Sequence, residues 1–147
     1  MDKVRASRDG HEFHEAWAAR QALKLVMPTD DFVGIAVEGT SPQDQKTASA
    51  KTVEIADLVL YFGERPVFEF ASSIVILQLK YSKASENDPF RASDAKKTIN
   101  KFSDAYITYK KNHSVKDVEK KLAFELLTNR PIPVSYTHLV KIGRSIK

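Results

Sequence analysis

The apolar positions of the chain fall into six stretches, each with its own period. Phe13, Ala16, Trp17, Leu23 and Met27 recur near helical spacing. Ahead of them, Asp9-Gly10-His11-Glu12 has the form of an N-cap with an acidic residue three positions on, so a first helix is expected to start at Asp9 and to end at Pro28. Phe32 to Glu38 is short, apolar and β-prone, and the polar run Gly39-Thr40-Ser41-Pro42-Gln43-Asp44 cannot continue it. Thr52 to Phe62, closed by Gly63-Glu64-Arg65-Pro66, and Ser73 to Tyr81, centred on Ile74-Val75-Ile76-Leu77, read as two more strands. From Ser93 the period lengthens: Ala95, Ile99, Phe102, Tyr106 and Tyr109 form the stripe of a long amphipathic helix. Leu122, Phe124, Leu126 and Thr128 then alternate as in a strand running into Asn129-Arg130-Pro131, although propensity over Lys120 to Leu127 also suits a helix. The alternation favours the strand. The order α-β-β-β-α-β implies an α/β fold, a mixed sheet flanked by helices.

With 147 residues, 42% of them hydrophobic, the chain supplies one packed core and no second one. No cysteine is present, which removes disulfides, zinc-thiolate sites and cysteine nucleophiles. No stretch reaches the roughly 18 to 20 apolar residues that span a bilayer, and Met1-Asp2-Lys3-Val4-Arg5 lacks the apolar core of a signal peptide, so no membrane partner and a cytoplasmic location are expected. Charge is unevenly spread. Residues 1–79 hold 8 Lys and Arg against 12 Asp and Glu, whereas residues 80–121 hold 11 against 6, which puts the basic surface on and around the second helix. Residues 134–147 add three more positive charges. Within them, Val134-Ser135-Tyr136-Thr137-His138-Leu139 resembles a translated sequencing adapter, so the native domain is expected to span residues 7–133 and to be cut short there, with 134–147 a non-native tail. Without that tail the net charge falls from +4 by 3 to +1, and the high pI says little about nucleic acid.

Candidate chemistry lies at the strand ends. Alternation puts Gln78 and Lys80 on one face of their strand, with Leu77 and Leu79 on the other. Asp57 sits among apolar residues in Ile55-Ala56-Asp57-Leu58-Val59-Leu60, where a charge is costly unless paired or metal-bound. Glu38 ends the first strand. If the strands share a sheet, Glu38 and Asp57 can supply carboxylates and Gln78 a neutral oxygen to Mg²⁺, which takes oxygen ligands, while Lys80 positions a water and offsets phosphate charge. That combination suits hydrolysis of a phosphodiester.

Asp57 followed by Gln78-Leu79-Lys80 within α-β-β-β-α-β resembles the PD-(D/E)xK nuclease superfamily, and more specifically the nuclease domains at the front of some bacterial anti-phage effectors. Arg8-Asp9-Gly10-His11-Glu12-Phe13-His14, Glu38, Gln78-Leu79-Lys80-Tyr81-Ser82 and Leu127-Thr128-Asn129-Arg130-Pro131 extend the likeness over residues 7 to 132. The sequence departs from the pattern in two places: Ala56 stands where a proline is usual, and Gln78 where an acid is usual. The resemblance implies a restriction-endonuclease-like core and a Mg²⁺-dependent endonuclease, with Mn²⁺ a substitute. It further implies double-stranded DNA as substrate, a role in phage defence or restriction, and a C-terminal sensor or recognition region beyond this fragment. Cutting both strands implies a homo-oligomer.

Plainer readings stand beside these. Asp57 can cap a turn or pair with Lys51 or Arg65, Lys80 can be the first solvated residue past a buried strand, and Glu38 can be a loop residue. Glu12 and Glu15 lie near the expected helix start, where acids serve the dipole; Glu15 is also a reserve metal ligand. His11 and His14 are expected to face solvent or cap that helix, and their i, i+3 spacing also allows a shared metal. The lysines of the second helix can be a solvated face or a phosphate-contacting one, with Arg91, Lys96, Lys97 and Lys101 the candidates. A non-catalytic nucleic-acid-binding or assembly module is therefore the rival to the nuclease. A nucleotide-processing enzyme is disfavoured by the absence of a GxxxxGK[ST] loop.

Overall fold

The computed structural model describes residues 3–26, 31–45 and 56–133. Helix α1 (Lys3–Ala22) runs into a 3-10 turn (Leu23–Leu25), and β1 (Phe32–Val37) follows, then the single turn α2 (Pro42–Gln45). Strands β2 (Leu58–Gly63) and β3 (Ala71–Lys80), helices α3 (Ala92–Asn112) and α4 (Val115–Lys121), and β4 (Leu122–Thr128) complete the order. The four strands form one mixed sheet in the order β1-β2-β3-β4. The first three pair antiparallel, and β4 lies parallel to β3 after the crossover through α3 and α4.

Alternation on β2 and β3 assigns the two faces. Leu58, Leu60, Leu77 and Leu79 face α1, where Phe13, Trp17 and Ala18 pack on them. Val59, Tyr61, Ile74 and Ile76 face the other way, against Tyr109 of α3 and Val118 of α4. Both faces are covered, which is why the central strands read as nearly continuous apolar runs. Gly63, at the end of β2, has φ +121°, and a Cβ there would lie 2.5 Å from the Ser72 nitrogen, so the β2–β3 hairpin requires glycine at that point.

Several expectations change. Helix α1 begins at Lys3, so Asp9 caps nothing; its carboxylate lies 3.8 Å from the Lys83 ammonium instead. Glu12 and Glu15 are consequently mid-helix, too far along to serve the dipole, and Glu12 pairs with Arg8 at 3.5 Å. Phe13 and Trp17 do face the sheet, but Ala16 and Leu23 are exposed, and Met27 and Pro28 lie outside the described residues. On α3 Phe102, Tyr106 and Tyr109 of the expected stripe do pack on the core, and Thr98 and Ala105 are buried beside them. Ile99 is 58% exposed and lines a hollow of about 560 Å³ between α3 and β4. The strand expected from Thr52 begins at Leu58, with residues 52–55 outside the described part.

The alternation over Leu122–Thr128 does form a strand, and α4 precedes it without an intervening loop. Ser114 caps α4 by accepting the Asp117 backbone N–H at 3.1 Å. At its far end Lys121 donates to the carbonyls of Phe68 and Glu69 at 2.9 and 3.1 Å, which fastens α4 to the β2–β3 connection. Among the described residues no helix is long and apolar enough to cross a membrane.

Leu77 is 1% exposed at the centre of the sheet. Leu77→Ala should cost about 3 kcal/mol in chemical denaturation, whereas Ile99→Ala should cost less than about 1 kcal/mol. Comparable losses for the two would show that α3 buries Ile99 after all.

Candidate functional site

Antiparallel pairing collects the end of β1, the start of β2 and the end of β3 at one pole of the sheet. Val37 lies opposite Leu58, and Leu58 opposite Leu77. One residue farther along each strand stand Glu38, Asp57 and Gln78. The backbone ladder continues to that point: Glu38 N–H donates to the Asp57 carbonyl at 2.8 Å, and Asp57 N–H to the Leu77 carbonyl at 3.1 Å. Glu38 then takes the left-handed conformation, φ +53°, and turns the chain away from the sheet.

The Asp57 carboxylate is fixed by β3. Its Oδ2 accepts the Leu79 backbone N–H at 2.6 Å and the Gln78 side-chain Nε2 at 2.5 Å. The structure thus joins Asp57 and Gln78, as their places on adjacent strands suggest. Gln78 is 6% exposed, and its Oε1 is buried with no hydrogen-bond partner among the described residues. A buried acceptor left unpaired costs about 1–3 kcal/mol, and a cation beside the Asp57 carboxylate would satisfy it. The donor set, one carboxylate and one amide oxygen, fits a divalent ion of the hard class.

Helix α1 closes over this pole. Its Phe13 ring stacks on Tyr81, centroids 5.0 Å apart, and the next residue, His14, has Nε2 3.9 Å from Asp57 Oδ2. Glu38 and Asp57 line a cleft of about 320 Å³ together with His11, His14 and Glu15. Neither histidine caps α1, which begins at Lys3; His11 is exposed at the rim of the cleft, as expected, whereas His14 is half-buried beside Asp57. Among the described residues no three His, Asp or Glu side chains converge as a metal cage. Glu38 shares the cleft with Asp57 without closing on it as a third ligand.

Lys80 is half-buried and shares Gln78's face of β3, and no carboxylate among the described residues pairs with it. Arg65 stacks over Phe70 at 5.1 Å rather than pairing with Asp57, and Lys51 lies outside the described residues. That leaves His14 as the cationic or polar group that approaches Asp57 from α1.

Two clamps hold the 81–91 loop at the same pole. Asn129 donates from Nδ2 to the Ser82 carbonyl at 3.1 Å and accepts the Ser82 N–H at 3.0 Å. Arg130 donates to the carbonyls of Asp88 and Pro89 at 3.1 and 2.7 Å and pairs with Asp94 at 2.9 Å. The Arg91 backbone N–H, aided by the Arg130 guanidinium, holds the Asp94 carboxyl below its ordinary value. Because β3 ends at this pole, α3 starts there. Arg91, Lys96 and Lys97 are exposed and Lys101 half-buried on its first turns, and none has an ion pair among the described residues.

Asp44 was missed in the sequence, where it looks like one more polar loop residue. It is 4% exposed: Oδ2 accepts the Tyr61 hydroxyl at 2.9 Å, Oδ1 accepts the Phe68 N–H at 3.1 Å, and the Tyr61 oxygen accepts the Ser41 N–H at 2.9 Å. This network anchors the segment that follows Glu38 to the middle of β2. Burial pushes the Asp44 carboxyl above its ordinary value, outweighing the lowering by the Phe68 and Tyr61 donors.

No protein-family model and no curated protein sequence matches the chain.

Folded Asp44 keeps its proton to higher pH than the unfolded chain does, so this group's contribution to stability falls as pH rises above the ordinary value of 3.8. Asp44→Asn is neutral throughout and lacks that loss. Its urea midpoint should gain on the wild type between about pH 4 and about pH 7, and a constant difference across that window would contradict the raised value.

Proposed function

We propose that the chain is a metal-dependent nuclease domain with a restriction-endonuclease-like core, hydrolysing DNA phosphodiester bonds. The observation that carries this reading is the buried, unpartnered Oε1 of Gln78 beside the locked carboxylate of Asp57, with Lys80 next along the same face. Asp57 and Gln78, with Glu38 across the cleft, would hold Mg²⁺, or Mn²⁺ in its place. A bound divalent ion supplies positive charge to a phosphate and lowers the pKa of water. Lys80, without an ion pair among the described residues, orients the attacking water and offsets charge on the phosphate. The exposed bases Arg91, Lys96 and Lys97, with Lys101 behind them, contact the phosphates on either side, since α3 begins at the site's own pole.

The choice of double-stranded DNA, of phage defence or restriction, of a cytoplasmic location and of a controlling region beyond Pro133 rests on the likeness of Asp57 and Gln78-Leu79-Lys80 to anti-phage effector nucleases. Action on both strands adds a second copy of the chain. One observation favours a rival: Gln78 is neutral, and no third carboxylate closes on Asp57 among the described residues. On that reading the pole has lost its ion, and the basic start of α3 works alone as a nucleic-acid-binding or assembly module.

Nicking of supercoiled plasmid by the full chain should require Mg²⁺ or Mn²⁺ and stop with chelator. Asp57→Ala and Lys80→Ala should each reduce the rate by about a hundredfold or more while leaving the fold intact by circular dichroism. Metal-dependent cutting that survives both substitutions would remove the site from this pole. Gln78→Glu should tighten Mg²⁺ binding, measured calorimetrically, because it adds a charged oxygen where the native residue offers a neutral one. Unchanged or weaker binding would take Gln78 out of the ligand set.

A further inference from the structure

We infer that the chain pairs with a second copy of itself along β4, the two strand edges lying antiparallel about a two-fold axis so that two four-stranded sheets join into one. The inference is independent of the metal site, and Arg91 is the one residue it shares with the proposed phosphate contacts. Nor is it the pairing that cutting both strands of one duplex calls for. Antiparallel β4 strands put the two Asp57 poles at opposite ends of the joined sheet.

β4 is the outer strand of the sheet, and beyond its pairing with β3 no backbone bond meets Ala123 to Leu127 among the described residues. A free edge is ordinarily blunted by charge, proline or a bulge. The opposite edge, β1, has a break in register between Phe32 and Gly34. β4 has none: Leu122-Ala123-Phe124-Glu125-Leu126-Leu127-Thr128 contains one charge and no proline, and its register with β3 is continuous. The hollow between α3 and β4 runs along this edge. It is lined by four consecutive residues, Phe124 to Leu127, and since successive side chains point to opposite faces, such a lining follows the backbone. A second hollow of about 600 Å³, reaching Leu122, shares Ile99, Phe102 and Phe124 with the first, so one apolar groove accompanies the whole of β4.

The groove carries opposite charge at its two ends. Arg91 lines it past the end of β4, where Phe90 N–H bonds to the Pro131 carbonyl, and Glu119 lines it beside Leu122, where β4 begins. Both side chains are exposed. A two-fold axis sets the Arg91 end of one copy against the Glu119 end of the other, twice, which makes the groove complementary to itself. An unrelated strand would need that charge order built into it, whereas a second copy already has it. An axis at Leu126 pairs residues of the same face and sets Glu125 opposite Leu127 of the other copy, not opposite another Glu125. α3 and its copy then lie on the same face of the joined sheet, and Ile99, 58% exposed, closes the groove from both sides.

Sedimentation equilibrium of the full chain, without metal or nucleic acid, should show a monomer–dimer equilibrium, with the amides of β4 slowing in hydrogen exchange as the dimer forms. Ile99→Glu, at an exposed position, should weaken the dimer about tenfold or more while leaving the melting temperature of the monomer unchanged. Arg91→Glu and Glu119→Arg should each weaken it about threefold or more, because each sets like charges together at both ends of the seam. Mixed one to one, these two variants should pair with each other about as tightly as the wild type pairs with itself, since both ends then regain opposite charges. A chain that stays monomeric up to about 1 mM overturns the proposal. So does a dimer that keeps its affinity in Ile99→Glu, a dimer that leaves the β4 amides unprotected, or a mixture of the charge variants that pairs no better than either alone.

Discussion

The bond from the Leu79 backbone N–H to the Asp57 carboxylate, 2.6 Å long, is the constraint on which the rest of the site depends. A carboxylate at the end of an apolar strand is expensive to desolvate, and a charge-assisted bond from the neighbouring strand offsets that cost. The backbone N–H fixes more than an oxygen atom. It sets where β2 starts relative to β3, and with that register Leu58 and Leu77 face α1 while Val59 and Ile76 face α3. A slip of one residue would exchange the two faces, burying Gln78 among the leucines and carrying Asp57 away from its donors. The polar pole and the apolar core are therefore specified by the same alignment.

Everything placed around the pole is held from a distance. Phe13 stacked on Tyr81 seats α1, Asn129 and Arg130 bind the loop that follows β3, and Asp44 with Tyr61 fastens the segment that follows Glu38. These fastenings differ in character. The Asn129 and Arg130 bonds join polar groups at the rim, whereas Asp44 is a buried carboxyl group satisfied by a hydroxyl and a backbone amide. The first kind adjusts to its surroundings at little cost. The second tolerates few exchanges, because removing either partner leaves a buried polar group unsatisfied.

Much of this was legible from periodicity. The α-β-β-β-α-β order, the strand over Leu122–Thr128 and the shared face of Gln78 and Lys80 follow from spacing alone, because burial on a sheet enforces period two on both sides of a strand. The phase of the helices was less legible. Counting large apolar residues placed Phe102, Tyr106 and Tyr109 correctly on the core side of α3 but Ile99 with them, although Ile99 is exposed and its neighbour Thr98 is buried instead. Asp9 shows a second limit. A capping sequence marks where a helix can begin, and here α1 had already begun at Lys3, which left Asp9 to meet Lys83. Within the site, Asp57 and Gln78 could be paired from strand adjacency. The approach of His14 could not, since it depends on how α1 lies across the sheet, and neither could the burial of Asp44, which depends on the path of a loop.

The parallel placement of β4 has a consequence for the order in which the domain assembles. Strands β2 and β3 are joined by a short connection and can zip together soon after both exist, so the bond from Leu79 to Asp57 is a local event. Ser82 and Asn129, by contrast, are 47 residues apart in sequence, and β4 can dock only after the whole of α3 and α4 has formed or been carried into place. On a ribosome the donors at the pole emerge well before the strand that fastens the loop beside them. The nascent chain thus carries a half-built pole with its neighbouring loop untethered.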